Sequence, residues 1–292
     1  MTSSSVSDKV AIITGSSSGI GFETAVALAR NGFYTYATMR DTSKASSSSL
    51  LEIADKEKLL LKVLELDVDS DTSVEDAISK IIQERGRIDI AVNNAGYALV
   101  GPLEETSMEE IKKQFDTNLF GALRVIKAVL PVMRKQRSGI IVNVTSMGGR
   151  VAIPLDSIYH GTKFALEGIS ESIRYETLRF GIRVVMVEPG AIKTNFFKNL
   201  KIAKVTSNSP NSPYVSLMNG LQSAASKMTE AATPAEEVAN AIVKIATTSD
   251  DVLPSIRYVI GEDARFFLDA KNRMPDEEFE KMLMTRFFGN KQ

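Results

Sequence analysis

Tyr159 and Lys163 stand four residues apart in Ser157–Phe180, a stretch whose pattern predicts a helix. Residues at i and i+4 share a helix face. A free phenol has a pKa of about 10, too high for a base at neutral pH, and a nearby ammonium lowers it. Such a pair gives or takes a proton where an alkoxide develops. Alone, the spacing also describes an exposed surface pair. Ser146, thirteen residues before Tyr159, adds a hydroxyl able to orient a reacting oxygen. A second chemical signal is Thr14-Gly15-Ser16-Ser17-Ser18-Gly19-Ile20-Gly21, between a β-branched run and a helical pattern. Glycines permit a tight turn and close backbone approach, and a helix N-terminus favours negative charge, so this loop suits a pyrophosphate.

Composition removes other chemistries. There is no cysteine, which excludes disulfides, thiolate nucleophiles and cysteine-ligated zinc. With His160 the single histidine, a His-rich metal site or a Ser-His-Asp triad is hard to build, and no metal is expected. The 35 basic and 36 acidic residues leave a net charge of -1, so no nucleic acid or anionic membrane is expected as partner. Met1–Asp8 is Ser-rich without an apolar centre, and no apolar run reaches the roughly 18 residues of a membrane span. The expectation is a cytoplasmic protein with neither signal peptide nor transmembrane segment.

Repeated strand–helix order must position these residues. Val10–Thr14, Tyr34–Met39, Leu61–Leu66, Ile88–Val92, Gly139–Val144 and Ile182–Val187 read as strands, with Tyr258–Ile260 a candidate last one. Gly21–Arg30, Val74–Arg85, Ser107–Arg137 and Ser157–Phe180 read as helices. Val- and Ile-rich strands alternating with helices predict an α/β fold, a Rossmann-type doubly wound parallel sheet with helices on both faces. Ser43–Ser49 reads as a loop or a frayed helix start. Lys193–Ala232 is long and mixed and reads as a substrate lid. Asp263–Phe288 is amphipathic and reads as an appendage that packs on the body or on a partner. The expected division is a catalytic domain over 8–262, including the substrate loop at about 193–232, and a helical extension over 263–292.

The spacing T-G-x-x-x-G-x-G resembles the short-chain dehydrogenase/reductase family. Further elements follow in the family's order: Asn93-Asn94-Ala95-Gly96, Asn118, Ser146, Tyr159-x-x-x-Lys163, and Pro189-Gly190 with Thr194. Tyr36–Asp41 and Tyr159–Gly168 look like 17β-hydroxysteroid and retinol dehydrogenases. The resemblance implies a nicotinamide enzyme with Tyr159 as acid/base, Ser146 orienting the substrate oxygen, and Lys163 holding the nicotinamide ribose. Asn118 would hold a water that links Lys163 to a proton relay. Cofactor contacts are implied for Gly15, Ser16, Ser18, Gly19, Ile20 and Gly21 of the loop and for Asn94, Ala95 and Gly96. Asp67 and Val68 fall at the adenine; Pro189, Gly190, Ile192 and Thr194 fall at the nicotinamide.

Cofactor choice turns on the end of the second strand, where a carboxylate selects NAD and an arginine accepts the NADP phosphate. Seven residues past Gly32, the family's carboxylate position is Met39, and Arg40 follows it. NADP(H) is therefore expected, although Ser18 stands where many NADP members carry a basic residue. Asp41 lies two positions too late.

Candidate pocket walls are Leu99, Met147, Gly148, Val151, Ile153, Phe196 and Phe197, mostly apolar. They suit a hydrophobic ketone, aldehyde or secondary alcohol such as a steroid, retinoid or other lipid. A broad-range carbonyl reductase or a 3-oxoacyl reductase is the alternative, and a non-catalytic NADPH-binding redox sensor is the alternative of another class. His160, beside Tyr159 but about 100° around the helix, reads as packing. By resemblance the chain pairs through the helices bearing Asn118 and Tyr159 as a homodimer or homotetramer.

Overall fold

The computed structural model describes residues 9–43, 45–196, 200–208, 211–248 and 255–288. Among them, seven parallel strands form one sheet: β1 (Val10–Ile13), β2 (Tyr34–Met39), β3 (Leu61–Glu65), β4 (Ile90–Asn93), β6 (Gly139–Val144), β7 (Ile182–Pro189) and β11 (Arg257–Ile260). Two-residue ladders pair β5 (Leu99–Val100) with β9 (Lys201–Ile202), and β8 (Ile192–Lys193) with β10 (Thr233–Pro234). The order in the main sheet is β11-β7-β6-β4-β1-β2-β3. The chain reverses direction across the sheet between β1 and β4, which opens a crevice at their carboxyl ends.

The helices are α1 (Gly19–Arg30), α2 (Ala45–Glu57), α3 (Asp71–Arg85), α4 (Met108–Phe115), α5 (Gly121–Gln136), α6 (Ser157–Thr177), α7 (Lys204–Asn208), α8 (Val215–Glu230), α9 (Ala235–Thr247), α10 (Glu262–Arg273) and α11 (Asp276–Phe288). Alternating strand residues feed two cores. Ala11, Ile13, Val142 and Val185 pack with Leu28 of α1 and Val238 and Ile242 of α9. Val10, Ile12, Ile141 and Val184 pack with Ile78 and Ile81 of α3 and Val125 and Val129 of α5. Burial of every residue in β1, β4, β6 and β7 explains why these runs show no polar alternation.

One expectation changes and three are sharpened. Of the two readings of the serine run the helix start holds: α2 begins at Ala45 and buries Ser47 and Leu50. Ser107–Arg137 is helical as expected, with one irregular turn inside it. A capping box between Ser107 and Glu110 starts α4, a π-helical turn over Asp116–Phe120 interrupts it, and α5 follows. The segment 193–232 is largely helical, because α8 occupies its second half. The C-terminal residues pack on the body. Phe267 and Leu268 of α10 and Phe279, Leu283 and Phe287 of α11 form a third core with Met147 and Val151. Among the described residues no helix is long and apolar enough to cross a membrane, and no acidic or histidine cluster is built to hold a metal.

Candidate active site

The glycine loop is formed where β1 ends and α1 begins. Gly15 and Gly19 have φ of +69° and +59°, left-handed conformations that a side chain would strain. Gly21 supports the loop by packing: a Cβ there would lie 2.4 Å from the Gly15 carbonyl oxygen. Thr14 stitches the loop to the segment after β4, since its Oγ1 accepts from the amides of Asn94 and Ala95 at 3.0 and 3.1 Å. Asn94 returns a bond from Nδ2 to the Thr14 carbonyl at 2.9 Å. Ser18 is the N-cap of α1 but makes no side-chain cap bond, and the first turn holds no acid. The amides there are free to meet phosphate and nothing repels it, so the cradle fits a dinucleotide.

Gly15, Ser18, Gly19 and Ile20 face the cleft, as do Val68, Asn94, Ala95 and Gly96. Ser16 does not: it is fully buried and its hydroxyl donates to the Ile13 carbonyl at 3.0 Å. Ser17, one residue on, faces the cleft instead. Asp67 also turns aside. Its carboxylate accepts from the Asp69 amide at 3.1 Å, while its neighbours Leu66 and Val68 line the cleft. At the end of β2, Met39 and the exposed Arg40 line the same edge. Asp41 is engaged by the Ser43 amide and hydroxyl at 3.0 and 2.6 Å.

Further along the cleft, β6 delivers Ser146 and α6 delivers Tyr159 and Lys163. Ser146 caps a short 3-10 turn, its Oγ accepting from the Gly148 amide at 2.9 Å and donating to the Pro189 carbonyl at 3.5 Å. Lys163 Nζ donates to the Val144 carbonyl at 2.9 Å and lies 5.7 Å from the centre of the Tyr159 ring. Burial holds the Lys163 ammonium down to about 8, against the opposite pull of Glu167. Burial pushes the Tyr159 phenol above its ordinary value; the nearby Ser146 hydroxyl acts to lower it and the charge of Asp156 adds to the rise. The expected lowering by Lys163 does not appear among the influences on the phenol, and desolvation of the phenolate dominates. Asn118 sits in the π turn and grips Tyr97, accepting from its amide at 3.0 Å and donating to its carbonyl at 2.9 Å. It also donates to Thr162 Oγ1 at 3.2 Å, which ties it to α6 one residue from Lys163. Beneath the site, buried amides link the strands: Asn93 donates to Asn143 at 2.8 Å, and Asn143 donates to Ser170 of α6 at 2.7 Å.

His160 is fixed by both ring nitrogens. The Ile153 amide donates to Nε2 at 3.0 Å, so Nδ1 carries the proton and donates to the Gly148 carbonyl at 2.8 Å. Burial holds its pKa below the ordinary value. The imidazole thus clamps both ends of the loop after Ser146, a positioning task beyond simple packing.

One cleft of about 510 Å³ joins these groups. Met147, Gly148, Ile153 and Phe196 line it, as do Pro189, Gly190, Ile192 and Thr194. Leu99 does not: Ala98 and Val100 face the cleft, and in an extended segment the residue between them points the other way. Val151 is buried in the third core instead. Phe197 lies outside the described residues. Two contributions escaped sequence reading. Leu221, Ala225 and Met228 of α8 and Phe287 of α11 roof the cleft. Asp263, in the first turn of α10, accepts from the Ala191 amide at 2.7 Å and fills the space where a Gly190 side chain would lie. An acidic residue in a first helical turn is common, so nothing in the sequence marked Asp263.

Residues 9–204 match the family model described as short chain dehydrogenase. A crystal structure of a short-chain dehydrogenase from Streptomyces avermitilis is 32% identical, with a TM-score of 0.77, and the match covers 94% of this chain and 97% of that one. Retinol dehydrogenase 8 of Bos taurus is 45% identical over 193 residues, which are 64% of this chain and 60% of that protein. An alcohol dehydrogenase from the archaeon Thermococcus sibiricus, solved with 5-hydroxy-NADP, is 26% identical with a TM-score of 0.72, over 87% of this chain and 96% of that one. The chain belongs to the short-chain dehydrogenase family and is an oxidoreductase of that fold.

Proposed function

We infer that the protein is an NADP(H)-dependent oxidoreductase that reduces apolar ketones or aldehydes and oxidises the corresponding alcohols. The observation that carries this reading is that one cleft, which begins at the glycine cradle and ends between apolar walls, brings Ser146, Tyr159 and Lys163 together. The resemblance to retinol dehydrogenase, whose named substrate is largely hydrocarbon, supports an apolar substrate. Arg40 at the cleft edge, Asp41 turned to Ser43, and the likeness to a structure holding an NADP derivative support NADP(H) over NAD(H).

NADPH supplies the hydride when bound. The chain's residues handle the oxygen. Ser146 and Tyr159 both donate to the substrate carbonyl oxygen and polarise it. As the carbon–hydrogen bond forms, the Tyr159 proton moves to that oxygen and leaves a phenolate. Tyr159 starts in the right state for this task, because burial keeps it protonated. Lys163, 5.7 Å from the ring centre, stabilises the phenolate that results. Asn118 braces Thr162 and so fixes this turn of α6. Exposed Phe120 and Phe164, beside α5 and on α6, support the homo-oligomer that family resemblance implies.

Tyr159→Phe tests the reading. It keeps the ring and removes the proton. A positioned acid is worth about 10²–10⁴-fold, so ketone reduction should fall by that range while NADPH, followed by its fluorescence, still binds. Near-normal turnover would overturn the assignment.

A further inference from the structure

Asp156 is the N-cap of α6, where an aspartate ordinarily accepts from an amide of the first turn. Here its side chain makes no cap bond. Its Oδ1 is buried with no hydrogen-bond partner. Among the described residues the one charged or chargeable contact of its Oδ2 is His160 Nε2, at 4.0 Å, and that nitrogen accepts from Ile153 and has no proton to give. The residue faces the cleft that holds Ser146 and Tyr159. Of the residues that line this cleft with it, Met147, Ile153, Phe196, Met228 and Phe287 carry no side-chain donor. A carboxyl group that forgoes its cap and faces an apolar cleft has unmet accepting capacity.

We propose that Asp156 is a specificity residue that accepts a hydrogen bond from a donor, hydroxyl or ammonium, carried by the substrate close to its reacting carbonyl. The proposal rests on the oxidoreductase reading above and narrows it to apolar carbonyl compounds bearing such a donor. Proximity to the carbonyl follows from α6. Asp156 and Tyr159 are three residues apart, about 4.5 Å along the helix axis and on neighbouring sides of one turn. The charge of Asp156 is felt by the Tyr159 phenol, which agrees with that placement. Burial pushes the Asp156 carboxyl up to about 7, so near neutrality it serves a hydroxyl in either form and an ammonium in its ionised form.

The test uses the full chain saturated with NADP⁺ and three stable ligands: octan-2-ol, octane-1,2-diol and 1-aminooctan-2-ol. Calorimetry gives the affinities, and NADPH formation gives the turnover. In the wild type, the diol or the amino alcohol should bind about 10-fold or more tighter than octan-2-ol, the range of one good hydrogen bond. Asp156→Leu should bring every ratio to within about 2-fold of one. Asp156→Asn keeps an accepting oxygen, so a diol preference should survive and an ammonium preference should vanish. If Asp156→Leu fails to fold, a wild-type ammonium preference is judged by Asp156→Asn, and a diol preference by Asp156→Ala. Wild-type ratios near one, or ratios that persist without the accepting group, overturn the proposal. A preference without turnover of any alcohol leaves the specificity assignment standing and overturns the oxidoreductase reading; turnover with ratios near one does the reverse.

Discussion

At the scale of single residues, cofactor preference depends on one guanidinium. Arg40 follows the buried Met39 at the cleft edge, and its charge reaches Asp69 and Tyr97. A hydrogen bond to a charged group contributes about 1.5–3 kcal/mol. Arg40→Ala should therefore weaken NADPH by roughly 10- to 150-fold and leave NADH almost unchanged. Met39→Asp should shift preference further towards NADH, by repelling the phosphate and accepting from the free ribose hydroxyls. The ratio of kcat/KM values with NADPH and NADH, across the wild type and both variants, measures this. A wild type that favours NADH would sink the assignment of Arg40. Residue types and spacing pointed to Arg40, Ser146, Tyr159 and Lys163, which the fold brings to one cleft. They were not enough to say which way a side chain turns. Ser16 and Ser17 are chemically identical, and only the path of the loop buries one and exposes the other. Leu99 failed for the same reason, since its neighbours take the cleft-facing positions.

At the scale of elements, the strands were legible because buried runs of Val and Ile have no helical period. Two helices were harder. Serine is a middling helix former, so the apolar stripe of α2 through Leu50 and Ala54 was masked by the serines before it. A Pro/Asn/Ser stretch stands just ahead of α8 and made the whole connection read as loop. The π turn at Asn118 has no signature in composition; it is visible only as the break between α4 and α5. The roof that α8 and α11 form leads to a prediction. Phe287 is buried against Phe267, with ring centres 6.4 Å apart, and lines the cleft. Burying a large apolar side chain is worth about 1.5–3 kcal/mol. Phe287→Ala should raise KM for an apolar ketone by roughly 10-fold or more, while NADPH affinity, set at the glycine loop, holds. An unchanged KM would show that the substrate does not reach this roof.

At the scale of the whole molecule, the sheet's last strand is fastened by charge. Arg257, at the start of β11, meets Glu167 at 3.0 Å and Glu171 at 2.9 Å, both on α6, and Glu188 of β7 at 3.1 Å. Arg150, just beyond the Ser146 turn, reaches Glu188 at 3.3 Å. Even so, burial pushes the fully buried Glu188 up to about 7, aided by the Glu167 charge and opposed by the two arginines. A folded pKa above the unfolded one makes a contribution that is complete at low pH and is lost as pH rises through about 7. Arg257→Ala removes one of the two countercharges and steepens that loss. Breaking a buried pair costs about 3–5 kcal/mol, and the low end is expected because Arg257 keeps a quarter of its side chain in solvent. Urea unfolding should show most of the cost at pH 8 and much less at pH 5, where the Glu188 carboxyl takes up a proton. Equal losses at both pH values would mean that Arg257 acts through packing alone. The succession of strands along the chain could be read from the sequence, but this network could not, because its paired partners lie up to 90 positions apart. The destination of the C-terminal helices was equally hidden. An amphipathic face has the same pattern whether it covers its own body or a partner.

A single imidazole among 292 residues is also a spectroscopic label that nature has already installed. In a long-range ¹H–¹⁵N correlation spectrum the protein shows one ring pattern, which needs no assignment. With Nδ1 protonated and Nε2 accepting from Ile153, that pattern has one pyrrole-type and one pyridine-type nitrogen. The pyridine-type resonance touches the Ile153 end of the loop, and the pyrrole-type resonance touches the Gly148 end. Seating a ligand against Ile153 should move the first and spare the second, whereas a shift of the whole Ser146 turn should move both. One pair of lines then distinguishes local contact from loop motion in real time, without an introduced probe.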